Sequence, residues 1–155
     1  MRTINQWLNE YGESHTNKTN KLIHWICVPA IFFSITGLLY CIKLPLFITD
    51  GLQLNVAMII LLFTAIYYLF LSIKIGIGMV LFGIICLALC YLFETFLPVS
   101  LWLLCLLIFV IAWIGQFYGH KVEGKKPSFF KDIQFLLIGP MWLMSFVYKK
   151  MGISF

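Results

Sequence analysis

Residues 97–119 read LPVSLWLLCLLIFVIAWIGQFYG, twenty-three positions from Leu97 to Gly119 without one charged side chain. A bilayer core about 30 Å thick takes roughly 20 apolar residues of helix at about 1.5 Å each, and this run supplies them. Outward from it lie three more runs of similar character, at about 22–42, 54–73 and 75–93. The breaks between them are Lys43, Pro45, Asp50 and Gly51, then Lys74 with Gly76 and Gly78, then Glu94 to Pro98. A fifth apolar stretch, Ile133–Tyr148, is shorter and is interrupted by Gly139-Pro140. At that length a broken segment is expected to be re-entrant or interfacial rather than spanning.

Composition agrees with a membrane assignment. Hydrophobic residues make up 62% of the 155-residue chain and charged residues 11%, against roughly 45–50% and about 25% in soluble domains. Disorder is excluded by the same figures, because disordered chains are poor in apolar residues and rich in charge. The net charge of +5 does not point to nucleic acid. Juxtamembrane Lys and Arg instead set orientation and meet anionic headgroups, and no basic face here lacks apolar neighbours. Cys27, Cys41, Cys86, Cys90 and Cys105 all sit in apolar runs and show no zinc spacing.

The expected architecture is therefore an all-α integral membrane protein. It is one domain, residues 1–155, with four spans and a C-terminal re-entrant or interfacial helix at 133–148. Residues 1–20 read as an interfacial amphipathic helix: Thr3 and Gln6 fit a capping box, and Ile4, Trp7, Leu8 and Tyr11 recur at helical spacing. A cleavable leader is not expected, since the polar segment with Glu10, Glu13, Lys18 and Lys21 precedes the first apolar run. With the N-terminus cytoplasmic and the fifth stretch returning to its own side, Arg2, Lys18, Lys21, Lys74, Lys121, Lys125, Lys126, Lys131, Lys149 and Lys150 lie inside. Only Lys43 lies outside, so the positive-inside rule places both termini in the cytoplasm. A compact chain without a retention tail points to a bacterial inner membrane, or to the endoplasmic reticulum if the source is eukaryotic.

An even number of spans brings two polar segments to one membrane face. One runs from Ser14 to Pro29 and holds His15, Asn17, Asn20 and His24; the other follows Trp113 and holds Gln116, His120 and Glu123. All three histidines lie in these segments. Asn17 is an N-cap candidate, which puts Asn20 and His24 at i, i+4 on one helix face. Gln116, His120 and Glu123 fall at i, i+4, i+7 if the last span continues that far. Taken singly, His24 is a helix-start histidine and His120 a headgroup-layer one. Together, three imidazoles and a carboxylate suit a divalent transition metal, with Asn20 and Gln116 as supporting groups or substrate contacts.

At these segments the chain resembles a known family. Tyr11-x3-His15-x4-Asn20-x3-His24-x4-Pro29 and Gln116-Phe-x-Gly119-His120-x2-Glu123-x3-Pro127, followed by Gly139-Pro140, are similar to the membrane-embedded 2-hydroxy fatty acid dioxygenases over roughly 7–146. The resemblance implies Fe(II)-dependent α-oxidation: a long-chain 2-hydroxy fatty acid and O2 give the acid one carbon shorter and CO2, as in fungal phytosphingosine breakdown. It implies His15, His24 and His120 as iron ligands, with Glu123, Asn20 and Gln116 at the family's other polar positions. Thr16 stands where fungal members often carry a second histidine, so Glu123 or water is left to complete the ligand set. Lys18 replaces a usual proline, and Phe146 stands where an acidic residue can occur.

Two other classes fit parts of the pattern. A membrane zinc hydrolase uses the same residues and differs in metal and in O2 dependence. A small transporter or scaffold needs midplane polar groups or inverted repeats; Asn55 and Thr64 are the main polar groups of the second run, and the halves do not repeat.

Overall fold

The computed structural model describes residues 3–49, 51–124 and 135–155. Arg2, Asp50, Lys125, Lys126, Pro127, Lys131 and the first two residues of the 133–148 stretch lie outside the described residues. In chain order the elements are α1 (Ile4–Gly12), α2 (Lys18–Tyr40), β1 (Lys43–Thr49), β2 (Leu52–Asn55), α3 (Val56–Leu71), α4 (Ile73–Phe96), α5 (Leu101–Glu123) and α6 (Ile138–Lys150).

The helix starts follow from local chemistry. Thr3 and Gln6 form both bonds of the capping box at α1. Asn17 caps α2, its side-chain oxygen accepting the N–H of Thr19 at 2.8 Å and of Asn20 at 3.4 Å. Such a cap is worth about 1 kcal/mol, and here it sets the start of α2, which places His24 in the second turn. Pro29 lies inside α2 without ending it.

Among the described residues, three helices are long and apolar enough to cross a membrane: α2, α4 and α5. Their outer faces suit lipid, with Ile111 of α5 67% exposed and Ile26 of α2 likewise 67% exposed. A soluble protein does not present such faces to water on several helices. The second expected span, 54–73, is a helix of 16 residues, about 24 Å long and short of a full crossing.

The structure corrects the sequence reading at four places. The fold is mostly helical but not all-α: β1 and β2 pair antiparallel around Gly51, whose φ is +96°. The region looked like a simple break because Pro45 and Asp50 interrupt the apolar pattern, yet its Leu, Phe, Ile and Thr residues suit an extended chain. Secondly, α3 and α4 part at Ser72 rather than at Lys74 with its neighbouring glycines. Ser72 is extended (φ −163°, ψ 123°) and its side chain caps α4. Gly76 lies within α4, where a Cβ would come within 2.9 Å of the Leu69 backbone, so glycine lets the two helices fold back tightly. Thirdly, the last long helix begins at Leu101 and runs to Glu123 instead of covering 97–119. Fourthly, Gly139-Pro140 does not break the C-terminal helix. It lies in the first turn of α6, where a proline loses no intrahelical bond.

The bundle packs as two pairs, α2 most extensively on α5 and α3 on α4, with α2 and α3 meeting more loosely. Small residues bring α2 and α5 close. A Cβ on Gly119 would collide with Asn20 Oδ1, and one on Gly115 would lie 2.7 Å from Cys27 Sγ. α1 and α6 close over the same end, Leu8 and Tyr11 packing with Met141, Trp142, Val28 and Phe32. At the opposite end Lys43 pairs with Glu94 at 2.9 Å and lies 3.7 Å over the Tyr40 ring.

Candidate metal centre

Three different elements deliver the three histidines. His15 sits in the turn between α1 and α2, its N–H donating to Gly12 O at 3.0 Å. His24 is in the second turn of α2, and His120 is in the last turn of α5. The ring centroids are 4.2 Å (His15–His24), 5.1 Å (His24–His120) and 5.5 Å (His15–His120) apart. All three are buried, at 3%, 1% and 7% exposure. Imidazoles packed together at that depth are costly unless something binds them, so this cluster is the first place to look for chemistry.

Local hydrogen bonds orient two of the rings. His15 Nδ1 donates to Tyr11 O at 2.6 Å and His24 Nδ1 to Asn20 O at 2.9 Å. A carbonyl only accepts, so in each neutral ring Nδ1 carries the proton and Nε2 carries the lone pair. That is the arrangement usual for metal-ligating histidines. One nitrogen from each of the three rings lies within 4.8 Å of the others. Three points so spaced share a centre within 4.8/√3, or about 2.8 Å, and metal–nitrogen bonds are about 2.0–2.1 Å. Ring rotations of well under an ångström close that difference. The donor set therefore fits a transition-metal ion, and three imidazoles with no carboxylate suit either iron or zinc.

Glu123 is not part of the three-histidine cluster. Its carboxylate accepts from Thr16 N–H (2.8 Å), Thr16 Oγ1–H (2.5 Å), Asn17 N–H (3.0 Å) and Asn20 Nδ2–H (3.0 Å). An ionised carboxylate, which is acceptor-only, suits such a ring of donors. The group ties the end of α5 to the turn holding His15 and to the start of α2. Asn20 is fully buried; its side-chain Nδ2–H donates to Glu123 while its backbone carbonyl accepts from His24 Nδ1. Gln116 is buried and lines a cavity of about 30 Å³ with Tyr11, His24, Val28, Trp113 and Gly139. That is room for one or two water-sized molecules.

The chain has a clear relationship to known proteins. The family described as 2-hydroxy-palmitic acid dioxygenase Mpo1-like matches residues 1–151. The chain belongs to that family. A yeast relative, 2-hydroxy-palmitic acid dioxygenase MPO1 of Saccharomyces cerevisiae (strain ATCC 204508 / S288c), is 31% identical over 145 residues, covering 92% of this chain and 78% of the yeast protein. No solved structure matches.

In this Mpo1-like chain the sequence assigned no part in the site to the rings of Trp142 and Tyr11 or to the donors of Thr16. Trp142 has its ring 5.4 Å from that of His15. Tyr11 stacks flat on His15, with centroids 4.2 Å apart and planes 9° apart. The two rings wall His15 on the side of α1 and α6. Gly139 allows this approach, since a Cβ there would lie 3.0 Å from Tyr11 Oη. Thr16, noted only as a missing histidine, supplies two of the donors to Glu123. No helical spacing points to it, because it lies in a turn and its partner is 107 residues away.

Proposed function

We propose that this protein is an Fe(II)-dependent dioxygenase of long-chain 2-hydroxy fatty acids, embedded in the bilayer that holds its substrate. The observation that carries the reading is the buried cluster of His15, His24 and His120, in a chain whose family is named for that reaction. Overall, R–CH(OH)–COOH and O2 give R–COOH, CO2 and H2O. The bond from C1 to C2 breaks and C2 becomes the new carboxyl carbon. Four electrons leave the substrate and four reduce O2, so no further reductant enters.

His15, His24 and His120 would hold the iron, which supplies O2 activation and a Lewis-acidic anchor for the 2-hydroxy-carboxylate. The chain's own residues do the rest. Tyr11 O and Asn20 O keep two imidazoles in one tautomer and orientation. Gln116, on the cavity wall beside His24, offers an amide to the substrate's carboxylate or hydroxyl. Tyr11 and Trp142 keep water from the His15 side. Glu123 acts here as a positioning residue that fixes the turn carrying His15.

The membrane topology that goes with this reading has four crossings, both termini in the cytoplasm and the histidines at the cytoplasmic face. It is supported by the positive-inside count and by two contacts near the start of α4. Tyr148 Oη donates to Lys74 O at 2.7 Å, and Lys74 Nζ donates to Ser154 O at 2.5 Å. α3 then crosses with help from the residues flanking it.

The test is detergent-purified protein loaded anaerobically with Fe(II), then given O2 and 2-hydroxypalmitate, with Zn(II)-loaded and metal-free protein alongside. Pentadecanoate formed only with iron and oxygen supports the proposal. Lipid hydrolysis by the Zn(II) form, without that product, moves the assignment to a hydrolase, since three imidazoles also suit catalytic zinc.

A further inference from the structure

The loose seam between α2 and α3 begins where the histidine cavity ends. That cavity is lined on α2 by His24, Val28 and Ile31, and beyond them by Leu136. Leu136 also lines a second cavity, of about 100 Å³, whose α2 residues are Phe32, Ile35, Thr36 and Leu39. The offsets from His24 are 4, 7, 8, 11, 12 and 15, one continuous face of the helix. Opposite it, α3 contributes Thr64, Leu61 and Ala57, descending as α2 ascends.

The seam asks for nothing polar. Its two hydroxyls are turned onto their own helices, Thr36 Oγ1 donating to Phe32 O at 2.9 Å and Thr64 Oγ1 to Ile60 O at 2.8 Å. Each threonine therefore leaves its methyl group for the groove. Just past Leu39 the character changes, because Tyr40 carries the Lys43 ammonium over its ring and Lys43 pairs with Glu94. From His24 to Leu39 is 15 residues of helix, about 22 Å at 1.5 Å each. A staggered hydrocarbon with bonds of about 1.5 Å advances about 1.25 Å per carbon, so the seam is as long as an extended chain of about 18 carbons.

We propose that the α2–α3 seam is the acyl-chain site and sets chain-length preference, with Ala57 near its far end as a specificity-determining residue. The inference rests on the proposed 2-hydroxy fatty acid substrate. Its tail is an unbranched chain whose polar head lies at the histidines and whose methyl end lies near Ala57 and Leu39. A chain already dissolved in lipid gains little from apolar contact alone. Selection is therefore steric: chains that fit enter, and longer ones meet the polar closure at Tyr40 and Lys43.

Two measurements test this. First, wild-type protein in detergent is irradiated without O2 in the presence of 2-hydroxydecanoate or 2-hydroxypalmitate carrying a terminal diazirine. The expected result is labelling around Phe32 and Thr64 by the shorter probe and around Leu39 and Ala57 by the longer. Labelling spread over outward-facing residues such as Ile111 overturns the proposal. Secondly, Ala57→Phe is expected to lower turnover of 2-hydroxypalmitate at least about tenfold relative to 2-hydroxydecanoate, the cost of overpacking a filled groove. An equal change for both substrates overturns it. Labelling needs no catalysis, so the two readings fail separately. Ordered labelling with no wild-type turnover of any 2-hydroxy acid keeps the seam and rejects the dioxygenase. Turnover with scattered labelling does the reverse.

Discussion

Replacing Glu123 by alanine separates a metal ligand from a residue that positions ligands. The carboxylate gathers four donors from Thr16, Asn17 and Asn20. A hydrogen bond to a charged group is worth about 1.5–3 kcal/mol when well buried. Three of these four are at exposed positions, so a total of about 2–3 kcal/mol is the reasonable scale after solvent screening. Part of that holds the turn that carries His15, and part holds Asn20, whose carbonyl orients His24. Loss of such an outer partner typically lowers metal affinity about 10–100-fold. The assay is titration of metal-free protein with Co(II), followed by its visible absorption, for wild type, Glu123→Ala and His24→Ala. Glu123→Ala is expected to bind about 10–100-fold more weakly with an unchanged spectrum. Wild-type affinity would show that the network does not position the site. An altered spectrum and a loss as complete as that of His24→Ala would make Glu123 a ligand, contrary to the geometry described here.

Other perturbations probe different parts of the account. His24→Ala and His120→Ala should each remove stoichiometric metal and all turnover while far-ultraviolet circular dichroism stays helical; full activity in either variant refutes its role. Gly119→Ala forces a Cβ against Asn20 Oδ1 and should destabilise the α2–α5 pair by about 1–3 kcal/mol, read as a lower melting temperature in detergent. An unchanged melting temperature would mean that the close approach at Gly119 is not needed. Lys43→Gln breaks a pair whose side chains are 27% and 42% exposed, and should cost no more than about 1 kcal/mol and leave metal affinity unaltered.

Local periodicity made much of this arrangement legible. The Asn17 cap, the shared face of Asn20 and His24, and the row from Gln116 to Glu123 are all spacings within one helix, fixed once helical geometry is assumed. Convergence of the three imidazoles is a different matter. His15 lies in a turn, so no period assigns it a face, and its direction is set by Tyr11, Trp142 and the Thr16–Glu123 contact across the fold. Glu123 could be placed near the histidines from sequence, but not which partners its oxygens take. The α3–α4 boundary was displaced because glycines and a lysine look like a break in hydropathy. In the folded bundle Gly76 serves a close approach to Leu69, and Ser72 alone makes the turn. The β1–β2 hairpin was hidden for the converse reason, its short apolar strands being set among residues that normally mark a loop.

The central claim is that this chain uses O2 to remove C1 from a 2-hydroxy fatty acid, the substrate itself supplying every electron. The most direct measurement is gas stoichiometry with 2-hydroxypalmitate labelled at its carboxyl carbon and Fe(II)-loaded protein, with no added reductant or 2-oxoglutarate. The account predicts one labelled CO2 and one pentadecanoate for each O2 consumed, sustained over many turnovers. Turnover that stops after one equivalent without a reductant, or pentadecanoate formed without loss of the labelled carbon, would contradict it.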